Sequence, residues 1–370
     1  MPIAGGDCRY GKQQVGGCGW NTHSLRCDKF SPKMCDKTTR MKMKTMPNLG
    51  ILFLLPLAAG VCHGQNTNVY SPAVLPGNGL AQHDFVYSGE AHKEQIFIVR
   101  GGRIVWSYTH PARGEISQAV LEPNGHILFA HQFGITEITL DKKVVWNFDA
   151  PRGTEIHTAT PIGTNSVMFI ENAQPAKLIV MNKNTGAIEH EFELPVNSAV
   201  SVHRQFRRAE VTAAGTVLVA FLDLGRLAEY DWNGKALWSQ PMTNCFSATE
   251  LPNGDILAAT SGEQFVREIN RQGQTVWEWT AADAPDYKFH FTQVASRLPN
   301  GDTLINNWYD GSLKGINPDH LPVQAIEVTP DKKIVWALRS WTPPAALGPS
   351  TTIQILDGTP LDTLVQASTE

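Results

Sequence analysis

Six times the chain repeats one pattern: a small residue, an apolar stretch, a tight turn, a second apolar stretch, then a charged turn leading into an aromatic ring. The clearest copy runs from Phe246 to Trp277, with Leu251-Pro252-Asn253-Gly254-Asp255 near its start and Arg271-Gln272-Gly273 before its end. The closing position is held by Trp106, Trp146, His190, Trp238, Trp277 and Trp336, at intervals of 40, 44, 48, 39 and 59 residues. A period of about 40 to 50 residues is that of a four-stranded propeller blade, a unit that buries its faces only by stacking on neighbours. The long last interval contains a polar, Gly/Pro-punctuated insertion between Trp308 and Val323.

The expected fold is therefore all-β: one six-bladed β-propeller, rather than a seven-bladed one, spanning residues 84–358. Aligning the copies on Asn124-Gly125, Thr164-Asn165, Ala214-Gly215, Asn253-Gly254, Asn300-Gly301 and Asp357-Gly358 reveals a column of small residues before each turn: Ala119, Ala159, Ala209, Ala248, Ala295 and Thr352. Small side chains at one depth mark the innermost strands, which crowd around an axis. The last copy stops after one strand and the first begins late. Strands from the two ends are expected to share a blade, which closes the ring and removes its exposed edge. The recurrent tryptophans read as packing between neighbouring sheets.

Residues 1–83 stand outside this pattern. A basic start at Met41-Lys42-Met43-Lys44 precedes the apolar run Leu49 to Leu57 and small residues at Ala58-Ala59-Gly60, which together read as a cleaved secretory signal over 41–64. Val61 before Cys62 fits a lipoprotein cleavage site poorly. The expected location is thus periplasmic or secreted, with no membrane span in the mature form. Residues 1–40 read as an upstream extension, non-native or disordered, 65–83 as an entry segment, and 359–370 as a tail. Among 370 residues the formal net charge is −4, so there is no basic excess for a nucleic-acid partner.

Strand alternation places the first-to-second and third-to-fourth turns on one face, and the long, variable connections on the other. Binding residues favour variable loops on a regular scaffold, so the second face is the candidate site. By the period of two, Ser117, His157, Arg207, Phe246, Gln293 and Ser350 ring the channel mouth, with Glu115, Glu155, Gln205, Asn244, Phe291 and Gly348 beyond them. His131, His157, His203 and His290 are the candidate catalytic groups. The candidate ligand-binding residues are Glu90, Gln132, Glu155, Glu171, Asn172, Arg204, Arg207, Arg208, Gln293, Asn307 and Trp308. Arg207 is expected to share a strand side with Gln205 and Ala209, with Arg204 and Arg208 on the other. Imidazole beside carboxylate and guanidinium suits anion capture with proton transfer. His131, His157 and Glu171 offer divalent-metal ligands, although no HxH or HxxxH spacing supports a metal and none is assigned. Trp308, Tyr309 and Phe289 to Phe291 offer planes for a sugar or other flat organic group.

With Ala228 to Trp238 and Leu251 to Leu257, the chain resembles exported bacterial propellers with PQQ-like repeats, including the arylsulfotransferase-like branch. That resemblance implies a histidine that accepts a sulfuryl group beside an arginine, roles open to His157, His203 or His290 with Arg207. Quinoprotein dehydrogenases of the group have eight blades and a vicinal disulfide over PQQ. Six copies and no adjacent cysteines argue against that cofactor, and none is expected. The expected partner is an anionic or carbohydrate-like small molecule, with hydrolase, lyase or sulfuryl-transferase chemistry open; the alternative is a non-catalytic scaffold for another exported protein.

Overall fold

The structure is a computed structural model and describes residues 69–90, 94–111, 114–262 and 264–359. The expected upstream extension, the signal segment and nearly all of the tail lie outside the described residues. Among those described, the strands form six four-stranded sheets. Blade 1 joins Ser350–Ile355 to Phe85–Glu90, Glu94–Arg100 and Arg103–Thr109, with Phe85 opposite Ile355 and Tyr87 opposite Ile353. Blade 2 starts at Gln118–Leu121, blade 3 at Glu155–Ile162, blade 4 at Phe206–Val211, blade 5 at Cys245–Glu250 and blade 6 at Ala295–Arg297. The ring is the six-bladed propeller that the repeat predicts, closed by strands from both ends of the domain.

The alanine column lies buried on the inner strands, from Ala119 to Ala295. Apolar clusters fill the wedges between blades: Phe85, Tyr87, Trp336 and Leu338 join blades 1 and 6, while Leu178, Phe206, Phe221 and Tyr230 join blades 3 and 4. Each such side chain contributes about 2 kcal/mol relative to an exposed one. The hairpins are longer by one residue than a two-residue turn. At Asn253-Gly254, for example, Gly254 N donates to Leu251 O and Leu251 N to Asp255 O. This three-residue loop needs a left-handed residue at its end, which Gly254 supplies with φ 86°. In blade 3 the left-handed residue is Gly163, one position before the Thr164-Asn165 pair.

The tryptophans do more than fill space. Trp146, Trp238, Trp277 and Trp336 each stand across the sheet from a buried glutamate nine residues earlier: Glu137, Glu229, Glu268 and Glu327. Each glutamate takes a cation from the next blade, namely Lys183 at 2.7 Å, Arg271, Arg297 at 2.7 Å, and His83 at 2.9 Å. The indole N–H of Trp238, Trp277 and Trp336 donates forward as well, to Arg271 O, Pro330 O and Gly79 O. Blade-to-blade adhesion is therefore directional, and the repeat carries it.

The final handover is to the entry segment, which also runs along blade 6 through hydrogen bonds of Arg339 to Pro72 O and Ala73 O. His83 there lies between Glu327 and, at 2.6 Å, Asp357 beyond the last strand. Burial opposes its charge, but hydrogen bonds to the two carboxylates outweigh burial and raise its pKa above the ordinary 6.5. A raised folded pKa gives stability that is full below pH 6.5 and is lost as pH rises through the folded value. His83→Gln is expected to cost about 1 kcal/mol at pH 6, allowing for the half-exposed Asp357, and progressively less above neutrality. Urea titrations of both proteins across that range check this, and a pH-independent gap would contradict it.

Candidate functional site

Four inner strands carry an irregularity where they enter the variable face: at Thr351 between Ser350 and Thr352, between Ile156 and Ala159, between Phe206 and Ala209, and between Cys245 and Ser247. Such bulges re-aim side chains. The cavity they border, of about 460 Å³, lies at the channel mouth. Its lining combines the charged and polar Glu90, Glu115, Ser117, His203, Arg204, Arg207, Asn244 and Gln293 with the apolar Leu222, Phe246, Phe291 and Trp308.

The bulge in blade 4 changes the expected placement of the arginine pair. Both guanidinium groups turn inward and stack near Phe246, at 5.6 Å for Arg207 and 5.8 Å for Arg208. Only Arg207 reaches the cavity. Arg208 is buried beneath it and donates to Ser117 O at 2.6 Å, Thr351 O at 3.1 Å and His157 O at 3.2 Å, so it ties three blades together instead of facing a ligand. Gln205 is fully buried and donates to Ala173 O, away from Arg207.

Around Arg207 the charged groups interlock. Its Nη1 donates to Glu115 Oε1, while its Nε is buried without a partner. His157 is fully buried, with Nδ1 2.6 Å from Glu115 and Nε2 2.8 Å from Glu155. His203, part-exposed at the mouth, has Nδ1 2.7 Å from the same Glu155 oxygen and Nε2 4.0 Å from Glu115. Burial works to raise Glu115, but the hydrogen bond with His157 and the charge of Arg207 hold it well below the usual carboxylate range. Burial likewise opposes Glu155, and donors from His157, His203 and Gln132 outweigh it and lower its pKa. An ionised carboxylate can only accept. His157 therefore bridges the two carboxylates through its two ring nitrogens, and His203 donates from Nδ1.

These assignments separate the two histidines. His157 is a sealed bridge whose ring nitrogens are both committed. His203 is the exposed one, with a carboxylate fixing its tautomer and Nε2 left as the basic nitrogen beside the cavity, the arrangement of an oriented general base or nucleophile. Glu115, His157 and His203 also bring one ligand atom each within 4.8 Å of one another. This trio replaces the expected His131, His157 and Glu171, which are not brought together. Arg207 Nη1 lies 3.2 Å from His157 Nδ1, so a positive charge already stands beside that spot, and the geometry favours anion and proton chemistry over a divalent cation.

Several expected residues point elsewhere. His131 turns between blades 1 and 2 against His110, with ring centroids 4.3 Å apart, on the strand face it shares with Ile127 and Phe129. Burial, and then the neighbouring imidazole, push its pKa down to about 4. Glu171 pairs across the sheet with Lys177, outside the mouth. Asn172 is buried and donates to Val202 O and Phe206 O, which anchors the loop carrying His203. Asn307 is buried too, donating to Val323 O and accepting from His290 N. Gln132 supports Glu155 at 3.1 Å, and Glu90 accepts the Trp308 indole N–H at 2.8 Å. His290 stands behind Phe291, facing an adjoining hollow. Glu115 appears in the sequence ring yet carried no assigned role; its position at the centre of the network depends on Arg207 and His157 reaching it across blades.

Known proteins place the chain as follows. No functionally curated protein matches it. A crystal structure of a protein of unknown function from Bacteroides caccae is 25% identical, with a TM-score of 0.64 over 73% of this chain and 98% of that one. BamB from Moraxella catarrhalis is 17% identical, with a TM-score of 0.40 over 60% and 64%. A virginiamycin B lyase from Staphylococcus aureus is 14% identical, with a TM-score of 0.49 over 72% and 88%. No helix among the described residues is long and apolar enough to cross a membrane. The family model described as outer membrane protein assembly factor BamB matches residues 92–243 and 205–320, most of the propeller. The chain belongs to this family of β-propellers with PQQ-like repeats.

Proposed function

We propose that this is an exported propeller that binds an anionic, carbohydrate-like small molecule at its channel mouth, with the Glu155–His203 pair available for proton transfer. The observation that carries the reading is one cavity lined by both guanidinium groups and aromatic rings. Arg204 and Arg207 present guanidinium groups to a carboxylate or sulfate, while Phe246, Phe291 and Trp308 present aromatic surface to an apolar ring face. Arg204 is exposed at the rim, and its side chain makes no hydrogen bond or ion pair among the described residues, so it can engage an anion without first leaving another partner. Neither PQQ nor a divalent metal enters the proposal.

A thermal-shift screen with uronic, sulfated and neutral sugars tests it. Wild type is expected to be stabilised by the acidic sugars, and Arg204→Ala combined with Arg207→Ala to lose that shift. An equal response of the two proteins to every sugar would reject the site. A chromogenic aryl sulfate with a phenolic acceptor belongs in the same screen. Phenolate release that vanishes in His203→Ala would identify the reaction as sulfuryl transfer, with the S–O bond to the aryl group breaking as an N–S bond forms at Nε2.

A scaffold role in the envelope is the second reading, favoured by a belt of exposed aliphatic side chains one position before the tryptophans: Val105, Val145, Leu237 and Val276. Polar replacement along this belt should then abolish partner capture while Arg207→Ala leaves it intact.

A further inference from the structure

We infer that the ligand is an acidic oligosaccharide of at least two rings, and that the hollow beside the channel mouth holds the ring beyond the one bound at Arg207; this rests on the small-molecule reading above. The hollow, of about 540 Å³, is lined by Tyr70, Tyr287, Lys288, His290 and Tyr309 among others. It and the mouth cavity flank one thin ridge. Neighbouring residues divide between the two sides: Phe291 and Trp308 face the mouth, whereas His290 and Tyr309 face the hollow. The His290 ring lies 4.2 Å from Phe291 and stacks within 13° of the Trp308 plane at 6.5 Å. A ligand leaving the mouth over this ridge meets aromatic surface throughout.

The hollow is built from parts that the blade repeat does not require. Tyr70 comes from the entry segment, Tyr287 to His290 from the connection into blade 6, and Tyr309 from the insertion after Trp308. Backbone hydrogen bonds lock the three together, from Lys288 N to Tyr70 O at 2.8 Å and from Tyr70 N to His320 O at 2.9 Å. Gly311 lets the insertion pass against Tyr309, since a β-carbon there would sit 2.4 Å from the phenol oxygen. Tyr70 and Tyr309 meet edge to face at 75°, offering a ring both a floor and a wall. Lys288 Nζ stands 5.1 Å over the Tyr70 ring, so the hollow carries a cation of its own for a second carboxylate. Aromatic planes with one cation fit a uronate ring better than a free anion or a neutral apolar group.

Calorimetric titration of the full chain with galacturonate and its di- and trisaccharides tests this. The disaccharide is expected to bind about tenfold tighter than the monosaccharide. Tyr287→Ala should remove that gain, Tyr287→Phe should restore it, and monosaccharide affinity should be unchanged in both. Lys288→Gln, an exposed change that does not threaten folding, should halve the gain or more. Equal affinity of wild type for all lengths, or a Tyr287→Ala loss as large for the monosaccharide as for the disaccharide, would overturn the second subsite while leaving the mouth site standing. Absence of binding at every length would overturn both.

Discussion

Arg208→Ala is expected to destabilise the propeller by about 3–5 kcal/mol, since several buried carbonyls lose their donor at once and a void opens among the inner strands. The guanidinium is almost wholly inaccessible and meets no carboxylate at hydrogen-bond distance among the described residues. Its donors satisfy carbonyls at Ser117, Thr351, His157 and Arg207, the points where the inner strands of blades 1, 2, 3 and 4 converge. Burial, with help from neighbouring Arg207, lowers its pKa to about 10, so it remains charged at neutral pH. Alanine would strip those carbonyls of their donor and leave a void on the axis. Lysine keeps the charge but cannot reach several carbonyls in one plane, so Arg208→Lys should fall between. The measurement is the denaturation midpoint, with a fall in Tm on the order of 10 °C for alanine. A loss under about 1 kcal/mol would show that the axis does not depend on this group.

His157→Gln should be nearly as costly, and its signature is the pH dependence. In the wild type, Glu115 and Glu155 have lowered pKa values, so their contribution is present above the ordinary carboxylate value of 4.5 and is lost only as pH falls through the lower folded values. Glutamine cannot span both carboxylates as the imidazole ring does. Glu155 would keep His203 and Gln132, and Glu115 would keep Arg207, but two part-buried acids would lose the ring that bridges them. A loss of about 3 kcal/mol at pH 7 is expected, with folded pKa values rising towards or above 4.5. The variant should therefore recover stability relative to wild type on acidification towards pH 4. Parallel urea titrations from pH 4 to pH 8 read this directly, and a deficit that does not change with pH would mean that His157 acts by packing alone.

The blade repeat made the ring legible because its period, its turns and its alanine column all report the same strand order. The mouth was legible wherever the period of two holds, which is why Ser117, Arg207, Phe246 and Gln293 line the cavity as alternation requires. It failed at the bulges. One extra residue in blade 4 swings Arg208 to the axis, an event that leaves no mark in hydrophobic periodicity. Tyr70 and Tyr287 were illegible for another reason. They have no counterpart in the other copies, so only the folding of three unrelated segments onto one another brings them together.

The forward grip of each tryptophan and glutamate on the following blade has a further implication for assembly. Such a contact is heterologous: donor and acceptor surfaces differ, so repeating it yields either a closed ring or an open polymer. Within one molecule the strand pairing of blade 1 closes the ring, and the forward grip of Trp336 and Glu327 is met by Gly79 and His83. Were the entry segment displaced, blade 6 would present an unoccupied socket and the freed segment would carry its matching plug. The 69–83 strap is therefore the element that fills this socket from within the same molecule.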